Sequence, residues 1–246
     1  QLESIGAKAF ATAEDAVKGA DRIHLALKDD ASVQEVLEKA VAGLKAGAVI
    51  IDHTTTSVQG AVARTREWKE KGFNYLHAPV FMGPKNALES TGFMLVSGNQ
   101  ELIGRFEPEL SKMTGKLINF GTEEGRAAGM KLIGNHFLIT FTAGLADTLA
   151  LAKALHIPPA EVSSWLSTWN PAAMLPARLE RMTGGDYSHP SWELNMARKD
   201  AGLFLNAAAR TGIPLHLMPV IAAEMDRWIE KGYGGSDWTV IAKDSF

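Results

Sequence analysis

The hydrophobic and polar positions of this chain change rhythm once, near residue 122. Before that point short apolar runs alternate with stretches whose apolar residues recur at helical spacing. Runs at 21–27, 48–52, 72–80, 94–98 and 116–120 predict strands, with a weaker one at 8–11. Val49, Ile50 and Ile51 are continuously apolar, as in strands covered on both faces of a parallel sheet. Between the runs, Thr12 with Asp15 opens a short helix, Ser32 caps one running through Val33, Val36, Leu37, Ala40 and Val41, and Ser57 begins one that ends near Lys71. A further helix is predicted over 100–113. Strands alternating with helices predict a doubly wound α/β domain.

After 122 no strand signal returns. From Glu124 to Leu155 no proline intervenes, which predicts one helix about 45 Å long. Pro158-Pro159 stops it, and helices follow near 159–168, 172–182, 192–211 and 214–231. The expected organisation is an α/β domain over 1–122, then a long interdomain helix with an all-α domain over 123–246.

Composition narrows the function classes. The 246 residues are 46% hydrophobic and 22% charged, an ordinary globular balance. A net charge of -3 gives no electrostatic reason to expect nucleic acid or an anionic membrane surface as a partner. No uninterrupted apolar run reaches the roughly 18 residues of a membrane span. Having no cysteine, the chain has no disulfide, Cys-ligated zinc or thiol nucleophile, which fits a cytoplasmic location. The seven histidines lack metal-ligand spacing, so no metal is expected. His53 and His77 fall near the rim of strand ends. The tryptophans of the helical half, including Trp165, Trp169, Trp192 and Trp238, read as core or subunit-interface residues.

Four segments carry candidate chemistry. Asp52-His53-Thr54-Thr55-Thr56-Ser57 is a strand end followed by hydroxyls and a helix start, which can cap the helix or hold a ligand. Ala78-Pro79-Val80-Phe81-Met82-Gly83-Pro84 is a loop on the same rim. In the Gly125–Asn135 segment, Lys131 and Asn135 share one helix face beside small residues. An amine and an amide there suit proton transfer to a bound small molecule; the glycines also suit close helix packing. Lys199-Asp200 sits in an apolar helix and, taken alone, reads as a solvated pair.

Together and in this order, these segments resemble the β-hydroxyacid dehydrogenase family, which includes 3-hydroxyisobutyrate dehydrogenase and the tartronate, glyoxylate and succinic semialdehyde reductases. The family's Asp-x-Ser-Thr signature is similar to Asp52-His53-Thr54-Thr55, its glycine-rich helix opening to 125–135, and its Lys-Asp-x-Gly-Leu segment to Lys199-Asp200-Ala201-Gly202-Leu203. The resemblance implies a Rossmann-type domain joined by a long helix to a helical domain, NADP or NAD as cofactor with NADP favoured, and hydride transfer to or from a small 3-hydroxy acid, aldehyde or ketone. It implies Lys131 as general acid/base, with Asn135 holding substrate. Thr54, Thr55, Phe81, Met82, Gly83, Lys199 and Asp200 would line the substrate, and Ala26, Leu27, Thr55 and Lys199 the cofactor. A homodimer or homotetramer is implied by the same analogy.

Three departures qualify it. The Gly-x-Gly-x-x-Gly turn that cradles a pyrophosphate does not occur in the chain, whose order of elements corresponds to a start after the first two strands, roughly forty residues in. As written, it is expected to hold a dinucleotide poorly. The family's Ala-Pro-Val-Ser-Gly-Gly loop reads Ala78-Pro79-Val80-Phe81-Met82-Gly83, which points to a larger or less polar substrate than a small hydroxy acid. Ala127 stands where the family has glycine, narrowing the groove. An imine reductase is the same-fold alternative, opposed by the presence of Lys131. A catalytically silent dimeric scaffold is the other, opposed by Lys131, Asn135 and Lys199.

Overall fold

The computed structural model describes residues 3–246; Gln1 and Leu2, at the start of the chain, lie outside the described residues. The chain divides into two compact units, 1–137 and 138–246.

Among the described residues the first unit carries six strands: β1 (Arg22–Leu25), β2 (Val49–Asp52), β3 (Asn74–His77), β4 (Val80–Phe81), β5 (Phe93–Val96) and β6 (Lys116–Asn119). Instead of one continuous sheet they form two of three strands each: β1-β2-β3, all parallel, and β4-β5-β6, in which β4 runs antiparallel to β5 and β5 parallel to β6. The switch follows Ala78-Pro79, which splits the expected strand over 72–80 into β3 and β4. Among the described residues β1 pairs on one edge only. The expected strand at 8–11 does not form; that run is exposed and has no strand beside it, so its backbone has no ladder to join.

Among the described residues this unit also holds five α-helices: α1 (Ala13–Val17), α2 (Asp30–Ala40), α3 (Val58–Glu70), α4 (Pro84–Glu89) and α5 (Gln100–Leu110). The Thr12 hydroxyl accepts from the Asp15 N–H and Ser57 from Gly60, as their sequence positions predicted. At α2 the cap is Asp29, which accepts from the Ser32 N–H, so Ser32 lies inside the first turn rather than before it. The two-residue side-chain period of β2 divides its covering: Ile50 packs with Val33, Leu37 and Trp68, while Val49 and Ile51 pack with Met94, Val96, Ile103 and Phe106.

Helix α6 (Arg126–Ala154) begins in this unit and runs for 29 residues. Ser97 Oγ accepts from the Ala127 N–H and satisfies one of the first-turn donors. Although polar residues interrupt its sequence, α6 is long and apolar enough, by length and composition, to cross a membrane.

The second unit holds the rest of α6 with α7 (Pro159–Thr168), α8 (Leu175–Gly184), α9 (Leu194–Arg210) and α10 (Met218–Trp228). Its core joins Tyr187, Leu194, Ala197, Ala201, Met225, Trp228 and Val240. Asp147, in α6, accepts from the N–H groups of His216, Leu217 and Met218 at 2.8–3.0 Å, capping the start of α10 with a carboxylate.

Candidate active site

The C-terminal ends of β1 and β2 build the first part of the site. Ala26 and Leu27 follow β1, and the Leu27 N–H donates to Thr54 Oγ1 at 3.0 Å. Thr54 is buried, and its own N–H donates to Asp52 Oδ1 at 2.9 Å. Thr55 is half-buried beside it. The corner therefore both caps a helix, through Ser57, and presents Thr54-Thr55 next to Ala26-Leu27, where open α/β sheets bind ligands.

A buried polar scaffold holds this corner. The Tyr75 phenol donates to Asp52 and accepts from Arg64 Nε at 3.0 Å, and the Arg64 guanidinium pairs with Asp30 at 2.8 Å. His77 Nε2–H donates to the Thr54 carbonyl at 2.9 Å, and burial lowers its pKa, keeping the ring neutral. His53 Nδ1–H donates to the Ala78 carbonyl at 2.8 Å, and its Nε2 accepts from His24. These histidines brace the rim through backbone carbonyls. Sequence position put them near the rim but gave no sign of the Tyr75-Arg64-Asp30 chain, whose members come from separate elements.

The second part lies on α6. Lys131 is 7% exposed, and its ammonium donates to Asn135 Oδ1 at 3.1 Å. Burial lowers its pKa from that of an ordinary lysine. Among the described residues no carboxylate pairs with it. The Asn135 amide, having its oxygen turned to Lys131, is left with N–H donors, so the two side chains together offer donors to one acceptor atom. The small residues before Lys131 are filled from the protein side: Ala127 and Ala128 are buried, and a Cβ on Gly125 would lie 2.8 Å from Val62 Cγ2. It is α3 that makes the close approach there.

The loop after β3 meets this face. The Phe81 ring centroid lies 3.8 Å from Lys131 Nζ. Met82 is half-buried and Gly83 exposed, and Gly83 precedes α4, a short helix that begins at Pro84 and was not predicted. Lys199 and Asp200 belong to α9 of the second unit, where they pair with each other at 2.9 Å.

A nicotinamide dinucleotide fits part of this arrangement. The rim supplies uncharged hydroxyl and backbone groups at Ala26, Leu27, Thr54 and Thr55, an environment compatible with an amide-bearing ring, while the glycine turn for its pyrophosphate is not in these 246 residues.

Comparison with known proteins divides the chain in two. Residues 1–121 match the NAD binding domain of 6-phosphogluconate dehydrogenase, and residues 123–245 match the C-terminal domain of NADPH-dependent reductive aminase-like proteins. A 3-sulfolactaldehyde reductase from Escherichia coli (strain K12) is 29% identical over 253 residues, 96% of this chain and 80% of that protein. An L-threonate dehydrogenase from Haemophilus influenzae is 27% identical over 99% of this chain and 82% of its own length. Among solved structures, an imine reductase from Myxococcus stipitatus in complex with NADP+ superposes with a TM-score of 0.91 at 18% identity, covering all of this chain and 87% of that one. At that identity the likeness is one of fold.

Proposed function

Because the chain belongs to the β-hydroxyacid dehydrogenase family, a family of NAD(P)-dependent oxidoreductases, we propose that it transfers hydride between a nicotinamide and the carbonyl or hydroxyl carbon of a small substrate, with Lys131 as general acid/base. The observation that carries this reading is the buried Lys131 ammonium, held by Asn135 with no neutralising carboxylate among the described residues. A charged amine kept out of water without an ion-pair partner is costly, and its lowered pKa suits a group that must give and regain a proton.

When bound, the nicotinamide supplies or accepts the hydride. Lys131 then stabilises the negative charge that grows on the substrate oxygen and delivers the proton, and in the oxidative direction takes it back. The Asn135 amide N–H hydrogen-bonds the same oxygen and fixes its distance from the amine. Thr54, Thr55, Ala26 and Leu27 position the cofactor's nicotinamide end and the substrate beside it. Lys199 and Asp200, which pair at 2.9 Å within α9, take in this reading the roles the family resemblance implies, a lysine for nicotinamide and substrate and a carboxylate that orients it. NADP or NAD serves as cofactor, with NADP favoured by the NADPH-dependent character of the proteins matched by the second half.

A second reading, reduction of an imine rather than a carbonyl, draws on the same match to reductive aminase-like proteins. It uses the same residues, with nitrogen in place of oxygen as the proton acceptor.

The protein works as a homodimer or homotetramer in the cytoplasm in this reading. Support for assembly comes from α6, where Ile133, Leu138, Ile139, Leu145 and Leu149 are exposed, and from the stacked, exposed Trp165 and Trp169 on and after α7. A second copy covers these more readily than lipid does, since Lys131, Asn135 and Asp147 stand on the same helix.

The test is oxidation of NADPH or NADH by the full-length protein with glyoxylate, succinic semialdehyde and a cyclic imine. Activity of a Lys131→Ala variant equal to wild type sinks the proposed mechanism.

A further inference from the structure

Phe81 is clamped at both ends. A Cβ on Gly134 would overlap Phe81 Cζ and lie 3.1 Å from Cε1, so the tip of the ring rests against bare helix backbone that any other residue would block. At the other end Gly92, at φ +81°, packs so closely that a Cβ there would lie 2.6 Å from the Phe81 carbonyl oxygen. Pairing of Phe81 with Phe93 between β4 and β5 fixes the backbone between those two glycines. A ring seated this way has one position, and its face lies 3.8 Å from the Lys131 ammonium.

An ammonium has three N–H donors. Asn135 Oδ1 takes one and the ring face takes up another, which leaves one for a ligand. One donor serves a reacting oxygen or nitrogen, but not a neighbouring carboxylate as well. Two groups of the loop that could take that carboxylate are already committed: the Gly83 N–H donates to Asn86 Oδ1 at 2.9 Å, and Lys85 is exposed and pairs with Glu89. The negative face of the ring also repels an anion laid against it.

We propose, on the basis of the oxidoreductase reading above, that Phe81 is the positioning and specificity-determining residue of this site: it fixes the Lys131 ammonium and selects a carbonyl or imine whose reacting carbon carries uncharged, apolar substituents rather than a carboxylate.

The experiment has two arms, both on the full-length protein. The first follows the Lys131 side chain by NMR as pH is raised, with the signal assigned from a Lys131→Arg variant. The ring face favours the charged amine, so in Phe81→Leu, which keeps apolar volume, the titration moves to lower pH by about 0.5–1. An unmoved titration overturns the positioning role whether or not the enzyme turns over. The second compares kcat/KM for an uncharged aldehyde and a cyclic imine with that for glyoxylate. Wild type favours the uncharged substrates, and Phe81→Ser moves the ratio toward glyoxylate by about tenfold. Gly134→Ala, which displaces the ring without touching Phe81, moves it in the same direction and guards against a folding defect in the first variant. Wild-type preference for glyoxylate, or an unchanged ratio in both variants, overturns the selectivity. Absence of turnover on every carbonyl and imine overturns the oxidoreductase reading and the selectivity together, and leaves the titration to decide the positioning role.

Discussion

Lys131 and Asn135 are joined across one turn of α6 by a 3.1 Å hydrogen bond from the ammonium to the amide oxygen. The pair divides labour. Loss of the amine removes the proton source, so Lys131→Ala lowers kcat/KM by about 10²- to 10⁴-fold in the full-length enzyme. Asn135→Leu leaves the amine and loses its orientation and the second donor, so its effect is smaller and falls partly on KM. Steady-state oxidation of the reduced nicotinamide in both variants checks the order.

Reduction and oxidation should respond to pH in opposite senses. Burial lowers the Lys131 pKa below the ordinary 10.5. Reduction needs the ammonium, so its kcat/KM is level at low pH and falls as pH rises through that lowered pKa. Oxidation needs the free amine and rises through the same pH. Rate profiles in both directions sharing one pKa are expected; a Lys131→Ala variant that keeps both limbs removes Lys131 from the assignment.

Asp147 concerns stability alone. Burial raises its pKa, but three backbone N–H donors outweigh this and hold the carboxyl below its usual 3.8. With a depressed folded pKa, its contribution is complete above the ordinary carboxylate pKa and disappears as pH falls through the folded value. Asp147→Ala leaves three backbone N–H groups at the start of α10 without their acceptor and costs about 1–2 kcal/mol; Asp147→Asn costs about 0.5–1 kcal/mol. Urea unfolding of the two variants at pH 7 and at pH 3 measures both claims, with the difference from wild type shrinking at the lower pH.

Charge placed on the exposed side of α6 should break the assembly. Ile139 is 68% exposed and Leu149 45% exposed. Ile139→Lys with Leu149→Glu is expected to shift the protein to monomers in sedimentation velocity, while its far-UV circular dichroism stays that of wild type. An oligomer that survives both substitutions places the interface elsewhere.

What was legible in the sequence depended on distance along the chain. Val49-Ile50-Ile51 is a strand because its own residues make it one, and Thr12 and Ser57 cap helices through donors three residues away. Lys131 and Asn135 were readable for the same reason. The run at 8–11 misled because apolar character does not supply a neighbouring strand. Asp29 rather than Ser32 caps α2 because both offer an oxygen and only the backbone chooses between them. Asp147 gave no local sign, its partners lying about 70 residues on. The Phe81 substitution was visible as a change of polarity, but its contact with an amine fifty positions later was not, because nothing in either segment specifies the other.

The notch at Gly134 has a consequence for reading related sequences. An aromatic ring at position 81 demands bare backbone at 134, and any side chain at 134 demands something small at 81. The two positions therefore form a single inherited character that neither can leave alone. Sorting relatives by this pair would group enzymes according to what flanks the reacting carbon, a property on which Lys131, which serves the reacting atom itself, does not bear.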